Sequence, residues 1–441
     1  GGLVAAAPRW FFVLESILSR LLILWLILAT SQSYAQDDSG DDPHLTLPQA
    51  AALVLEKNPH LQSAQFGRNA AEAQLNAASM KPQWSVSLDV EDFLGTGSLS
   101  GFDGSQSTLR LSRIVQSEDS RSGRVAVASA IGGQADILFE AERLDALTLL
   151  AKRFVDVVYE QETLRLSEQS VKVWEAARAL ALTRERAGAA PAVDRLRTEI
   201  RVANANLEVE NAEHELKAAR MLLAATWGSF APDFGRASGS LCSLSDLPPF
   251  EVLKTRITQN PDLLRFATEQ RLQAAEAQLA SARQRPDWSL SAGVRHNALI
   301  DEQSLVFSVS VPLGAKSRAE PSRRRADALA SQSALQEEAF AVEVQARLYD
   351  IYQEVRHTVN EVEVFDKEIL PRARAIRNEI EEGYSIGRFS HTALLNAESE
   401  LLAAAAARLN ACADHHRLLI DIERLTGGDS TWLTTDGEGS P

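Results

Sequence analysis

The sequence contains one pattern twice. Three short motifs in the first half recur in the same order, at nearly the same spacing, in the second half. They are NP at 58–59 and 260–261, AEAQL at 71–75 and 275–279, and P-x-W-S-x-S at 82–87 and 286–291. Such a duplication predicts two copies of one structural unit. Hydrophobic periodicity predicts the order helix, strand, strand, long helix, helix in each copy.

Charge and motif content exclude several classes of function. The chain has 441 residues and a formal net charge of −15, which argues against nucleic acid as a partner. It has no phosphate-binding loop, no zinc-protease helix motif and no nucleophile-elbow motif, so we expect no enzyme, no catalytic residue and no cofactor.

The first 35 residues have the features of an export signal. Arg9 and Arg20 precede an apolar run at 21–29, and Ser33-Tyr34-Ala35 fits a small-x-small cleavage site. An uncleaved anchor helix is the alternative, because the apolar stretch is fairly long. We expect a flexible lead at 36–44 after the signal.

Four segments alternate strictly between apolar and polar residues, which predicts strands at about 84–92, 108–115, 287–296 and 304–312. A tilted strand of roughly 9–11 residues is long enough to cross a bilayer. With lipid outside and water inside, Asp89 and Glu91 would face a lumen and favour cations. The alternative is two ordinary hairpins that each pack against a soluble core.

The strands divide the chain into repeats. We expect a first repeat at 45–228, a linker at 229–249, a second repeat at 250–427 and a flexible tail at 428–441. The long proline-poor stretches predict helices at about 47–80, 124–187, 192–227, 321–382 and 390–425. Pro321 would start the fourth of these helices, and Pro371 would kink it.

Four strands cannot span a membrane alone. An open sheet in lipid leaves unpaired backbone groups, each costing several kcal/mol. The smallest closed barrels usually have about eight strands. If the strands span, several chains must therefore contribute to one barrel.

Three stretches carry a resemblance to a known family. They are 45–50 with 58–59, EDFLGTG at 91–97 with SG at 100–101, and the turn GYSIG at 383–387. Over nearly the whole mature chain they resemble the TolC-like outer-membrane efflux family, and most of all the outer-membrane component of cobalt–zinc–cadmium-type RND systems. The resemblance implies a mainly α-helical homotrimer with a 12-stranded β-barrel in the outer membrane and an α-helical tunnel across the periplasm. It also implies contact with outer-membrane lipid, a periplasmic adaptor and an inner-membrane RND pump.

The resemblance places adaptor docking at the two helix-to-helix turns. The residues expected there are Arg186, Gly188, Asp194, Tyr384, Gly387, Arg388, Leu394 and Leu395. The glycines are also explained by turn chemistry alone. Two positions depart from the family, because its acidic ring would fall at Ala393 and Asn396, which carry no charge.

The two cysteines, Cys242 and Cys412, could pair in an oxidising compartment, although two distant cysteines do not fix a pairing. Cys412 and His416 share a helix face and form a weak candidate metal site. Two ligands do not complete a zinc site, so we interpret His415 and His416 as surface histidines and expect no metal.

The leading interpretation is a passive, gated efflux duct for divalent heavy-metal cations. One alternative is a duct for drugs or type I secreted polypeptides. Another is a periplasmic coiled-coil scaffold that has no pore.

Overall fold

The computed structural model of the chain describes residues 44–427. The expected signal peptide at 1–35, all but the last residue of the expected lead at 36–44, and the tail at 428–441 lie outside the described residues, whereas His44 lies in a short strand.

Both repeats have the same order of elements. The first consists of β1 (His44–Leu45), α1 (Leu47–Lys57), α2 (Pro59–Ser79), β2 (Trp84–Glu91), β3 (Gln106–Val115), α3 (Glu118–Arg186) and α4 (Ala192–Ala225). In the linker, β4 (Arg236–Ala237) pairs in parallel with β1. The second consists of α5 (Phe250–Arg256), α6 (Pro261–Ala282), β5 (Trp288–Asn297), β6 (Glu302–Ser310), α7 (Ala315–Val364), a π-helical turn (Phe365–Ile369), α8 (Leu370–Ser385) and α9 (His391–Thr426).

The repeated Asn-Pro pair closes each repeat on itself. Asn58 caps α2 by accepting hydrogen bonds from two backbone N–H groups, and its Nδ2 donates to the carbonyl of Thr226, 2.7 Å away. Asn260 caps α6, and its Nδ2 donates to the carbonyl of Leu425 at 2.9 Å. The expected single helix at 47–80 is therefore wrong. The residue before a proline avoids the helical region, and Asn58 has an extended backbone (ψ 122°).

The long helices also differ from the expected bounds. Ser117 caps α3 through its hydroxyl, so the helix begins at Glu118 and runs for 69 residues. Pro321 lies inside α7, which begins six residues earlier at Ala315 after a left-handed Gly314. Pro371 lies at the second position of α8, with one residue between it and the π-helical turn. A proline has no N–H to donate, so the hydrogen-bonding pattern changes there.

The two hairpins form one four-stranded antiparallel sheet, in the order β2-β3-β5-β6. The central pairing, β3 with β5, joins the repeats, with Arg113 opposite Leu290. The outer strands β2 and β6 have no further strand partner within residues 44–427.

The main core lies where the helices meet the linker. Val54, Leu150, Leu223, Ala237 and Cys412 belong to one buried cluster, which joins α1, α3, α4, β4 and α9. Within residues 44–427, no helix is both long and apolar enough to cross a membrane.

Candidate functional site

One face of the sheet is an exposed apolar surface. Its large exposed side chains are Trp84, Val86, Leu88, Leu109, Leu111, Trp288, Leu290, Leu305, Phe307 and Val309. Nothing within the described residues covers this face, and most of these side chains are more than half exposed. A contiguous apolar face of this kind is typical of contact with lipid or with another chain.

The opposite face is polar and contains paired charges. Asp89 lies 3.4 Å from Arg110, and Glu91 lies 3.7 Å from Arg295. Arg295 also donates hydrogen bonds to the Thr108 hydroxyl (3.0 Å) and to the Gln106 side-chain carbonyl (3.2 Å). Asp89 and Glu91 thus lie on the expected face, but an arginine compensates each. The two acids therefore do not by themselves give this face a net negative charge.

The far end of the helices carries two turns that one arginine links. Gly188, in the α3–α4 turn, and Gly387, in the α8–α9 turn, have φ values of 68° and 83°. Arg184 donates hydrogen bonds to the carbonyls of Tyr384 and Ser385, and its guanidinium lies 4.7 Å from the centre of the Tyr384 ring. It also reaches the Ala189 carbonyl at 3.3 Å. A single side chain therefore joins both helical hairpins at this tip.

The predicted docking residues divide into two groups. Arg186, Gly188, Gly387 and Arg388 are exposed, and Asp194 is partly buried. Tyr384, Leu394 and Leu395 are buried, at 2%, 1% and 6% exposure. Their side chains support the tip from inside, which corrects the expectation that they contact an adaptor directly. Ala393 is partly buried, and Asn396 is exposed.

A buried histidine lies beneath the turns. The Thr198 hydroxyl donates to the Asp194 carbonyl (3.0 Å), so Nε2–H of His391 donates to that hydroxyl, also at 3.0 Å. The His391 ring packs 5.5 Å from the Tyr384 ring. Burial lowers the pKa of His391 and raises the pKa of the Tyr384 hydroxyl. Sequence reasoning missed this contact, because Thr198 and His391 lie in different repeats.

A buried carboxylate lies two helical turns further from the tip. Glu398 is only 4% exposed, and its carboxylate forms an ion pair with Nε of Arg377 at 3.0 Å. The Arg377–Glu398 pair ties α8 to α9, and Arg377 also pairs with Glu381 within α8 at 3.1 Å. Burial raises the pKa of Glu398, and Arg377 opposes that shift. No sequence pattern singles out Glu398, because this carboxylate differs from its neighbours only in its burial, which the sequence does not show.

The structure contradicts the weak candidate metal site at Cys412 and His416. Cys412 is joined to Cys242 in a disulfide, and Nε2–H of His416 donates to the Leu241 carbonyl at 2.7 Å. His415 is fully buried, not on the surface, because it packs beneath the hydroxyl of Thr358. Within residues 44–427 there is no group of three or more metal-ligating side chains.

We expect His415 to make the fold sensitive to acid. Burial lowers its pKa from 6.5 to about 4. Nε2 has no hydrogen-bond partner among the described residues, so protonation would bury an unpaired N–H. The stabilisation is present above pH 6.5 and is lost as the pH falls towards 4, up to about 3 kcal/mol. Thermal midpoints from pH 7.5 to 4 measure it. His415→Gln should flatten that part of the curve, and an equal slope in both proteins would contradict the prediction.

Comparisons with known proteins agree with this architecture. Residues 50–229 match the family model "Outer membrane efflux protein". The chain is 24% identical over 383 residues to the cobalt-zinc-cadmium resistance protein CzcC of Cupriavidus metallidurans, covering 87% of this chain and 90% of that one.

Solved structures show the same fold. CusC superposes with a TM-score of 0.74 at 15% identity, over 90% of this chain and 96% of its own. The outer membrane protein VceC of Vibrio cholerae superposes with a TM-score of 0.70 at 16% identity, over 87% and 96% of the two chains. The resemblance drawn from the sequence motifs is thereby confirmed. The first repeat thus matches the outer membrane efflux protein family, and the chain as a whole has the fold of TolC-like channels, which places it in the outer membrane with an extension into the periplasm.

Proposed function

We propose that three copies of the chain form the outer-membrane channel of a tripartite RND efflux system. The observation that carries the proposal is the four-stranded sheet. Within residues 44–427 its apolar face is exposed and its two edge strands have no further strand partner. Both features are costly for a lone chain in water. Closing twelve strands into a barrel pairs the edge strands, and the surrounding lipid covers the apolar face. The long helices would then form a tunnel that ends at the tip of the two turns.

The tunnel opens at its tip in this proposal. An adaptor contacts the exposed turn residues, among them Arg186 and Arg388, and separates the hairpins that Arg184 joins. Solute then leaves passively past the polar face of the barrel. The inner-membrane pump supplies the energy, so the duct needs no catalytic residue.

Divalent metal cations are the proposed cargo. Support comes from the similarity to a protein named for cobalt, zinc and cadmium resistance. Deleting the gene in its host should raise sensitivity to these three metals, and the intact gene should restore tolerance. Unchanged metal tolerance with raised drug sensitivity would favour the drug duct instead.

Planar-bilayer conductance, with the oligomer mass measured in detergent, tests the channel itself. Trimers with small, mostly closed conductance are expected. A water-soluble monomer without conductance would overturn the assignment of the sheet to the membrane and favour the scaffold.

The paired charges on the polar face predict a change in ion selectivity. Replacing Arg110 and Arg295 together by glutamine leaves Asp89 and Glu91 uncompensated, so the channel should become more cation-selective. Reversal potentials in a potassium chloride gradient measure this change. Arg113→Gln removes a charge from the opposite face of β3 and should leave selectivity unchanged. Equal shifts in both variants would contradict the assignment of the polar face to the lumen.

A further inference from the structure

A small basic cleft lies where the sheet meets the helices. Its volume is about 260 Å³, and it lies between the α2–β2 connection, the end of β3 and the start of α3. Lys81, Arg113 and Arg121 line it together with a single acid, Glu118. Arg121 already pairs with Glu118, so the lining retains two positive charges. Neither Lys81 nor Arg113 makes an ion pair within residues 44–427, so both are available for an anionic ligand.

Arg113 occupies an unusual position for a charged side chain. In the sheet register it lies opposite Trp84 and Leu290, on the apolar face. It is the only lysine or arginine on that face of the described strands. Its guanidinium lies 5.0 Å from the centre of the Trp84 ring. Arginine on a lipid-facing surface extends towards the headgroup region, where phosphate compensates its charge.

Two tryptophans indicate where the cleft would lie along the membrane normal. Trp84 and Trp288 begin β2 and β5, at the end of the sheet that continues into the helices. Aromatic residues concentrate at the edges of the apolar band in membrane barrels. The helices extend into the periplasm, so this edge faces the periplasmic leaflet of the outer membrane. The cleft therefore lies at the height of that leaflet's phosphates.

We propose that this cleft binds the phosphate headgroup of an anionic glycerophospholipid from the periplasmic leaflet. Arg113 and Lys81 would contact the phosphate oxygens, and Trp84 would pack against the glycerol backbone. This inference rests on the barrel proposed above, since it needs the apolar face in lipid. Three such clefts would then fix the height of a trimer in the membrane.

Native mass spectrometry of the detergent-purified protein tests the site. Phosphatidylglycerol and phosphatidylcholine with identical acyl chains would compete for it, and we expect a preference for phosphatidylglycerol. In the double variant Lys81→Gln/Arg113→Gln that preference should fall about 30-fold. Each basic residue near an anionic lipid surface contributes about 1 kcal/mol, and the variant removes two of them. Arg113→Lys should retain most of it.

The matched control is Arg285→Gln. Arg285 pairs with Asp119 at the same junction, 2.7 Å away, but does not line the cleft. It should leave the lipid preference unchanged. An equal loss in the control, or an unchanged preference in the double variant, would overturn the proposal. Displacement of the lipid by millimolar inorganic phosphate would also overturn it, since the ligand would then be free phosphate. Conductance in pure phosphatidylcholine bilayers tests the channel separately.

Discussion

Removing the disulfide between Cys242 and Cys412 should lower the free energy of unfolding by about 5 kcal/mol, since the bond closes a loop of 170 residues. The bond fixes the inter-repeat linker to α9 within the main core. Cys412 is fully buried there, so replacing it would also disturb packing, whereas Cys242 is only partly buried. The measurement is thermal unfolding in detergent, followed by circular dichroism, for wild type and for Cys242→Ser.

Reduction provides the matched control for this prediction. A reductant should lower the midpoint of the wild type towards that of Cys242→Ser and leave the variant unchanged. If thiol counting shows complete reduction while the wild-type midpoint stays constant, the disulfide does not stabilise the fold.

Arg184→Ala should open the channel. The substitution removes hydrogen bonds from one charged group to three carbonyls, on Tyr384, Ser385 and Ala189, together with the contact to the Tyr384 ring. Only the bonds to Tyr384 and Ser385 cross between the hairpins. Hydrogen bonds to charged groups contribute about 1.5–3 kcal/mol each, so losing these two should raise the ratio of separated to joined hairpins about a hundredfold or more. Open probability in planar bilayers measures the change.

Arg186→Ala serves as the control for this variant. Arg186 lies two residues further along, at the end of α3, and is exposed, without an ion pair within residues 44–427. Its removal changes the charge of the tip equally, so the open probability should stay near that of the wild type. If both variants open alike, surface charge and not the cross-hairpin bond holds the tip together.

The strands and turns could be predicted from the sequence because their signals are local. Strict alternation placed β2 and β3 within two residues of their observed bounds, and the glycines at 188 and 387 marked the turns. The break at Asn58 was also visible as Asn-Pro. It was missed because the helical periodicity continues across it.

The contacts that shape the site could not be predicted in this way. The pairs Asp89–Arg110 and Glu91–Arg295 depend on which strands pair and in which register, and the alternating pattern of one strand fixes neither. Tyr384 and His415 are buried by helices from distant parts of the chain. An amphipathic pattern shows which residues share a face, but it does not show which element covers that face.

The π-helical turn gives the two halves of the molecule different stiffness. In the first repeat α3 runs unbroken for 69 residues, whereas the matching arm of the second changes its winding at Phe365–Ile369. Asp366 in that turn pairs with Arg408, whose guanidinium also contacts the sulfur of Cys242. We therefore expect bending to concentrate between this anchored point and the tip, in α8 of the second repeat, and not in the first repeat. In the proposed trimer, spin-label distances across the helical tunnel should then change at three alternate positions, so that the tunnel widens with threefold, and not sixfold, symmetry.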